Sequence, residues 1–343
     1  MAAQPTGALV AGASFAGLAV AQELRDRALL LDGEAIGAGQ TSACGAPVRV
    51  LEDLGAAASI QDVHHDLVIH TPGREIRWPV PEPFCTFDYA ACCRAAFERT
   101  GARFIRASVH GHRGGVALTS AGELPARVLI DATGWRAALA ANEAGRSSRY
   151  FGLEAEVTAP FAAGLHFYFW PDIVRDGYAW VFPAGRRRAR VGVLSYRGRS
   201  ALASDLDALL SRLRLPSGPR HGGFLATHLG SPVVDGVFIV GDAAGQCLPL
   251  SGEGIRSAVW AGRVCGRLVR HVLDGELPVS DAAARYIAYA RRQRRRYRVL
   301  EWSTLAALAL PARVLGPLAA WVSRPGPHRA FMRHYLSMFA APA

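Results

Sequence analysis

The stretch Gly7–Asp32, GALVAGASFAGLAVAQELRDRALLLD, decides the fold. A short apolar run ends at Gly12, small residues fill Gly12 to Gly17, a helical pattern continues to about Arg25, and a second apolar run ends at Asp32. That order reads as strand, tight turn, helix and strand, the opening βαβ unit of a dinucleotide-binding sheet. Gly12 makes the turn, Gly17 lets helix and strand pack closely, and the helix start at Ser14, Phe15 and Ala16 can turn its amides toward a pyrophosphate. Asp32 follows Gly12 by twenty residues, where an acid would hold a ribose hydroxyl. Ser14 replaces the middle glycine of the usual fingerprint, which narrows the backbone's approach but adds a hydroxyl donor. The same stretch also fits an ordinary buried turn whose small residues serve packing alone.

Outward from this unit, 343 residues allow about two domains and a sizeable core. Half of the residues are hydrophobic and a fifth are charged, as in a soluble globular enzyme. The formal net charge is +11, and every one of the 39 basic residues is Arg. Without Lys there is no Schiff-base chemistry and no lysine acid, base or phosphate clamp. The six cysteines, Cys44, Cys85, Cys92, Cys93, Cys247 and Cys265, show no metal-ligand spacing and suit reduced thiols in a cytoplasm. No positive charge precedes the apolar N-terminus, so its glycines are read as a turn and export is not expected.

A second glycine-rich run, DGVFIVGDAAGQCLPLSGEGIRSAVWAGRVCGRLV, spans Asp235 to Val269. An apolar strand leads into Gly241 and Asp242, a small-residue loop reaches Pro249, and a helix follows Gly252, Glu253 and Gly254 at Ile255. This run resembles the corresponding segment of the geranylgeranyl reductase family, within the larger group of FAD flavoproteins that includes aromatic hydroxylases and flavin halogenases. The resemblance implies FAD, with Asp242 accepting from a ribityl hydroxyl and Gly252 to Ile255 beside the isoalloxazine. A helix N-terminus aimed at the flavin would stabilise the reduced, anionic ring.

Three further stretches agree with the resemblance. CTFDYAACCRAAFERTGARFIRASV, ending at Val109, resembles the strand, helix and strand that close over the adenosine. ARVLIDATGWRAAL resembles the strand that brings a glycine, here Gly134, near the pyrophosphate. QTSACG resembles the loop that carries a cysteine toward the flavin, which implies Cys44 and Gly45 as cofactor contacts. Cys44 is then a candidate proton donor, with a small apolar filler as the equal alternative. Thr133-Gly134 stands where aromatic hydroxylases carry Asp-Gly, and Asp88-Tyr89 where many relatives place an adenosine-binding Arg.

GYAWVFPAG, Gly177 to Gly185, alternates Tyr178, Trp180 and Phe182 before Pro183, so the three rings share one face of a strand. The geranylgeranyl reductases carry a substrate-cavity motif of this form, followed after seven or eight residues by Gly-x-Gly. Here eight residues lead to Gly192-Val193-Leu194, so the second glycine is Leu194. Halogenases have a similar strand but require the lysine this chain lacks. The other reading is a core sheet face, which must still find a partner for the Trp180 N–H. Upstream, LHFYFWPD places His166, Tyr168 and Trp170 on one face and Phe167 and Phe169 on the other. Tyr168 and Trp170 are expected to line the cavity with the first three rings and Pro183. His166 is either a proton donor or a structural histidine.

From Arg285 to Arg298 the chain carries seven arginines, and the apolar stretch beyond is interrupted by Pro311, Arg313 and Pro317. It is too broken to span a bilayer but suits either an anionic membrane surface or a helical cap with a solvated face. No nucleic-acid module is visible. The expected fold is α/β: a Rossmann-type FAD domain in pieces (1–55, 91–150, 221–275), a smaller mixed-sheet substrate domain (56–90, 151–220) and a helical C-terminus (276–343). The expected protein is a cytoplasmic monomer without a metal that reduces a double bond of an apolar, isoprenoid-like substrate, with NAD(P)H a transient reductant. A monooxygenase and an electron-transfer flavoprotein are the alternatives.

Overall fold

β1 (Thr6–Ala11), α1 (Phe15–Leu24) and β2 (Ala28–Asp32) form the opening unit, with Ala8 to Ala11 paired in parallel to Ala28 to Leu31. The computed structural model describes residues 6–140, 149–185 and 187–339. The parts of the expected units at 1–5, 141–148 and 340–343, and residue 186, lie outside the described residues.

The chain continues through β3 (Gly45–Pro47), α2 (Val48–Asp53), β4 (Ile60–Thr71), β5 (Arg74–Phe87), α3 (Tyr89–Glu98), β6 (Arg103–Arg106), β7 (Val109–Arg113), β8 (Val116–Thr119) and β9 (Gly122–Asp131). Then come β10 (Arg149–Thr158), β11 (Leu165–Tyr168), β12 (Gly177–Pro183), β13 (Arg188–Ser195), α4 (Ala203–Arg212) and β14 (Arg220–Ala226). The chain closes with β15 (Val233–Val234), β16 (Val237–Ile239), α5 (Ile255–Leu273), α6 (Val279–Ala309), α7 (Ala312–Val322) and α8 (Pro325–Leu336).

Two sheets organise these elements. The first has the order β15-β16-β9-β1-β2-β6, with β8 paired to β9 and β7 to β8. Its parallel strands β16, β9, β1, β2 and β6 are fed by crossovers, as the doubly wound pattern requires. The second has the order β14-β10-β13-β12-β11-β4-β5-β3. β3 and β14 therefore belong to the second sheet, although the sequence placed residues 45–47 and 221–226 with the first unit. Both strands are short and carry glycines, so only their long-range pairing reveals the sheet they join.

α1 and α5 lie side by side because their facing residues are small. A methyl group at Gly262 would lie 2.7 Å from the Ala16 carbonyl oxygen, and one at Gly266 2.9 Å from that of Val20. Contacts advance together along both helices, so they run parallel and their N-termini share one end. In the second sheet, alternation divides the side chains. Val181, Val191 and Val193 pack beneath Leu206, Leu209 and Leu210 of α4 on one face. Tyr178, Trp180, Phe182, Leu194 and Tyr196 gather on the other, where Leu308 of α6 and Leu336 of α8 cover them.

Candidate functional site

The glycine-rich turn and the Gly241 segment meet although they are far apart in sequence. A methyl group at Gly12 would strike the Ala132 carbonyl at 2.1 Å, and one at Gly17 the Gly12 carbonyl at 1.8 Å, so neither position tolerates a side chain. Gly241 abuts α1, since a methyl group there would lie 2.9 Å from the Ala16 Cβ and 3.5 Å from the Ala258 Cβ. Ser14 caps α1 and Gly254 caps α5, and neither makes a side-chain capping bond. Two sets of first-turn amides thus point to the same end of the helix pair without side-chain caps, with the start of α5 about two turns beyond that of α1, an arrangement that suits a long ligand rich in anionic or oxygen groups.

Asp32 at the end of β2 accepts from the Ala13 amide at 2.8 Å and the Glu34 amide at 3.0 Å, which fixes the turn. A carboxylate has further acceptor sites, so it can also receive ribose hydroxyls. Val109 packs beside Leu31 and Ala117 at the same sheet edge. Asp131, buried at the end of β9, accepts from the amides of Thr133, Leu139 and Ala140 and from the Thr133 hydroxyl. It shapes the loop around Gly134, whose backbone is left-handed and whose side faces open space.

Asp242 is the electrostatic centre of the site. Among the described residues its carboxylate accepts a 3.3 Å bond from the Ala226 amide, and burial pushes its pKa up to about 6. A methyl group at Gly254 would lie 3.2 Å from Asp242 Oδ1, so the start of α5 closes directly over the acid. A half-buried carboxylate with a single long backbone donor fits a ligand that brings hydroxyls.

The loop after Pro249 is held from three directions. Tyr178 donates to the Ser251 carbonyl, Tyr196 to the Leu250 carbonyl at 2.6 Å, and the Tyr335 hydroxyl of α8 donates to Glu253 Oε2 at 2.5 Å and accepts from the Ser251 hydroxyl at 2.8 Å. Arg256, fully buried, grips Glu253 through two 2.8 Å bonds and spends its remaining donors on the carbonyls of Tyr335, Leu336 and Met338. The Glu253 side chain, expected at the cofactor, is committed to this clamp, which leaves its backbone to a ligand. Arg256 lies three residues from Glu253, but the sequence does not reveal the clamp because Tyr335 and the carbonyls that complete it come from α8 and the turn after it, about eighty residues on.

The aromatic strand forms a wall facing both loops. A methyl group at Gly45 would lie 3.2 Å from the Phe182 ring, and one at Gly252 3.1 Å from Leu194 Cδ1 and 3.4 Å from Tyr178 Oη. Leu194, paired with Tyr178 across β12 and β13, therefore fills the space between the wall and the Gly252 loop. Pro183 ends β12, and its carbonyl accepts from Thr86. The Trp180 N–H donates to Glu154 at 3.2 Å.

Phe167 pairs with Trp180, and Tyr168 with Ala179. Paired residues share a face, so Phe167 and Phe169 join the wall while His166, Tyr168 and Trp170 point to the opposite side of the sheet. Tyr168 and Trp170 pack with α4 under the Arg212 guanidinium, and His166 meets His70 at 2.9 Å. These three residues do not line the wall. Alternation separated the two faces correctly, but only the strand pairing determines which of them turns inward.

Cys44 is completely buried, with left-handed backbone (φ 53°), and its thiol donates to the Ser42 carbonyl at 3.3 Å. Burial pushes its pKa far up, so the thiol keeps its proton. Leu250 also has left-handed backbone (φ 69°), which places strained non-glycine residues in both loops facing the wall. Phe15 packs edge-on against Phe87 and Tyr89, and the Tyr89 hydroxyl reaches Ser14 Oγ at 3.2 Å. Asp88 caps α3 through the Ala91 amide, so the position of the missing Arg does structural work. Among the described residues no group of three His, Cys, Asp or Glu side chains could hold a metal, and no helix is long and apolar enough to cross a membrane.

No family model matches the chain. It is 34% identical over 151 residues to a digeranylgeranylglycerophospholipid reductase of Methanosphaerula palustris, which covers 40% of this chain and 38% of that protein. It is 34% identical over 140 residues to digeranylgeranylglycerophospholipid reductase 1 of Methanopyrus kandleri, covering 37% and 36%. The matched parts thus span less than two fifths of those relatives' length. In fold, a geranylgeranyl bacteriochlorophyll reductase-like protein of Thermoplasma acidophilum superposes with a TM-score of 0.81 over 96% of both chains, at 18% identity. A flavin-dependent brominase superposes at 0.76 over 96% of this chain, at 16% identity.

Proposed function

We propose that this chain, which belongs with the geranylgeranyl reductase family of FAD-dependent oxidoreductases, reduces a carbon–carbon double bond of an apolar, isoprenoid-like substrate. The observation that carries the reading is the donor-poor Asp242 carboxylate under the start of α5, facing the Tyr178–Trp180–Phe182 wall across Gly252. FAD, when bound, supplies the hydride.

The protein's own residues supply binding, orientation and exclusion of water. The α1 amides receive the phosphates, Asp32 the ribose and Asp242 the ribityl hydroxyls. The α5 N-terminus favours negative charge beside Gly252–Ile255. The wall orients an apolar chain and keeps water away. Cys44 keeps its proton at neutral pH and holds it tightly, so its thiol is neither a nucleophile nor a ready acid and fits the apolar-filler reading. The rings are buried beneath α6 and α8, so a long substrate reaches them by parting those helices from the sheet. NAD(P)H is the transient electron source in this reading.

The outer faces of α6 and α7 fit contact with an anionic membrane. Val299, Trp302 and Leu305 follow one another at three-residue spacing on α6 and are exposed, as are Leu318 and Trp321 on α7. Arg291, Arg295 and Arg298 continue the α6 face and are exposed. Apolar rings beside guanidinium groups suit a headgroup boundary.

The test is anaerobic. The purified protein is reconstituted with FAD, reduced with dithionite and mixed with a polyprenyl substrate. Flavin reoxidation without oxygen supports the reading, and turnover that begins only when oxygen is admitted supports a monooxygenase instead.

A further inference from the structure

Four residues on four adjacent strands stand in one row across the second sheet. Trp180 of β12 is opposite Gly192 of β13, Gly192 is opposite Glu154 of β10, and Glu154 is opposite His221 of β14. The row has a physical cause. The indole of Trp180 lies flat over Gly192, where a methyl group would sit 2.1 Å from Cζ2 and 2.5 Å from Cε2. Only a glycine leaves room for the ring to cross β13 and bring Nε1 to within 3.2 Å of Glu154 Oε2. Beyond the ring's far edge lies a second glycine, Gly152, where a methyl group would lie 3.5 Å from Trp180 Cη2.

Glu154 is an unusual residue for this place. Its side chain is 3% exposed, on a sheet face whose rings and aliphatic groups are joined by one other buried charge, Arg190, paired with Phe182 and bonded to the carbonyls of Ala43 and Phe87. A buried carboxylate is costly unless its oxygens are partnered. Here one oxygen takes the indole N–H, and the other lies 2.7 Å from Nε2 of His221 without the geometry of a hydrogen bond, so the indole is the carboxylate's hydrogen-bond donor among the described residues. The carboxylate thus lies between an indole in the wall and an imidazole at the sheet edge. A core sheet face would gain more from a Leu or Phe at 154, and the wall would then lose its fixed ring.

We propose that Glu154 is a positioning residue for the reaction: it locks the Trp180 indole flat across Gly192 and so fixes the shape of the surface that an apolar substrate meets. The proposal rests on the reading of this face as the substrate wall. Glu154 touches no reacting atom, and its effect passes through Trp180.

The experiment uses the full-length FAD-loaded protein labelled with 15N-tryptophan, in which the Trp180 indole signal is identified by its loss in Trp180→Phe. In the parent protein and in Glu154→Gln, whose amide oxygen can still accept, that N–H exchanges slowly with solvent. In Glu154→Leu it loses protection and shifts, while FAD remains bound. KM for a polyprenyl substrate then rises on the order of tenfold in Glu154→Leu, with kcat less affected, and returns toward the parent value in Glu154→Gln. Should Glu154→Leu not fold, Gly192→Ala carries the test, because its methyl group displaces the same ring. An unchanged Trp180 signal and exchange rate in Glu154→Leu or Gly192→Ala overturns the proposal. If the signal moves as expected but Trp180→Ala leaves turnover intact, the lock stands and the substrate-wall reading falls.

Discussion

Gly241 lies against Ala16, so close that a methyl group on the glycine would come within 2.9 Å of the alanine Cβ. This contact joins the two glycine-rich segments of the chain and places Asp242 beside the start of α1. The parallel packing of α1 and α5 then turns two helix N-termini and the half-buried Asp242 toward the same end of the molecule.

Asp242 ties FAD binding to pH. Burial raises its pKa to about 6, so in the ligand-free protein its folded form holds a proton more tightly than the unfolded chain does. Its contribution to stability is present below about pH 4 and is lost as pH rises through about 6. Hydroxyl donors favour the ionised form, so FAD affinity should strengthen over the same interval. Titration of apoprotein with FAD at pH 5 and pH 8 should show this dependence. Asp242→Asn should flatten it and weaken binding by about tenfold at pH 8.

Leu194 narrows the passage between the wall and the Gly252 loop. Leu194→Gly should admit bulkier apolar substrates and raise their kcat/KM, while FAD content stays at the parent level. Paired assays with linear and branched substrates check this. Loss of FAD without any change in substrate preference would count against the assignment.

The clamp between Glu253, Arg256 and Tyr335 joins α8 to the loop at Leu250–Gly254. Tyr335→Phe removes two hydrogen bonds and should cost about 1–2 kcal/mol. Arg256→Leu strands a buried carboxylate and should cost about 3–5 kcal/mol. Urea unfolding of each variant measures both. Tyr335→Phe should also raise the Kd for FAD, since Ser251 loses one of its anchors.

The exposed face of α6 and α7 predicts binding to vesicles containing anionic phospholipid, weakened by salt. Trp302→Ser combined with Trp321→Ser should reduce that binding on the order of tenfold in a flotation assay, without loss of bound FAD. Equal binding to neutral and anionic vesicles would contradict the role given to the arginines.

Local signals made the flavin half of the molecule legible. Gly12, Gly17 and Asp32 belong to one βαβ unit, so apolar runs and glycine spacing were enough to place them, although the carbonyl that presses on Gly12 is that of Ala132 from β9's end. The wall was legible in part, because period two put Tyr178, Trp180 and Phe182 on one face. That Phe167 and not His166 joins them depends on the pairing of β11 with β12, which no local pattern encodes. Glu154 was hidden for the same reason: in FGLEAEV it looks like one of two alternating acids, and its partners Trp180 and His221 come from other strands.

The central claim is hydride reduction of a carbon–carbon double bond, and the mass of the product tests it most directly. FAD-loaded protein, reduced without oxygen and mixed with a polyprenyl substrate, should yield a product heavier by two hydrogens per double bond reduced. An unchanged substrate mass under these conditions, with a product heavier by one oxygen once air is admitted, would contradict it.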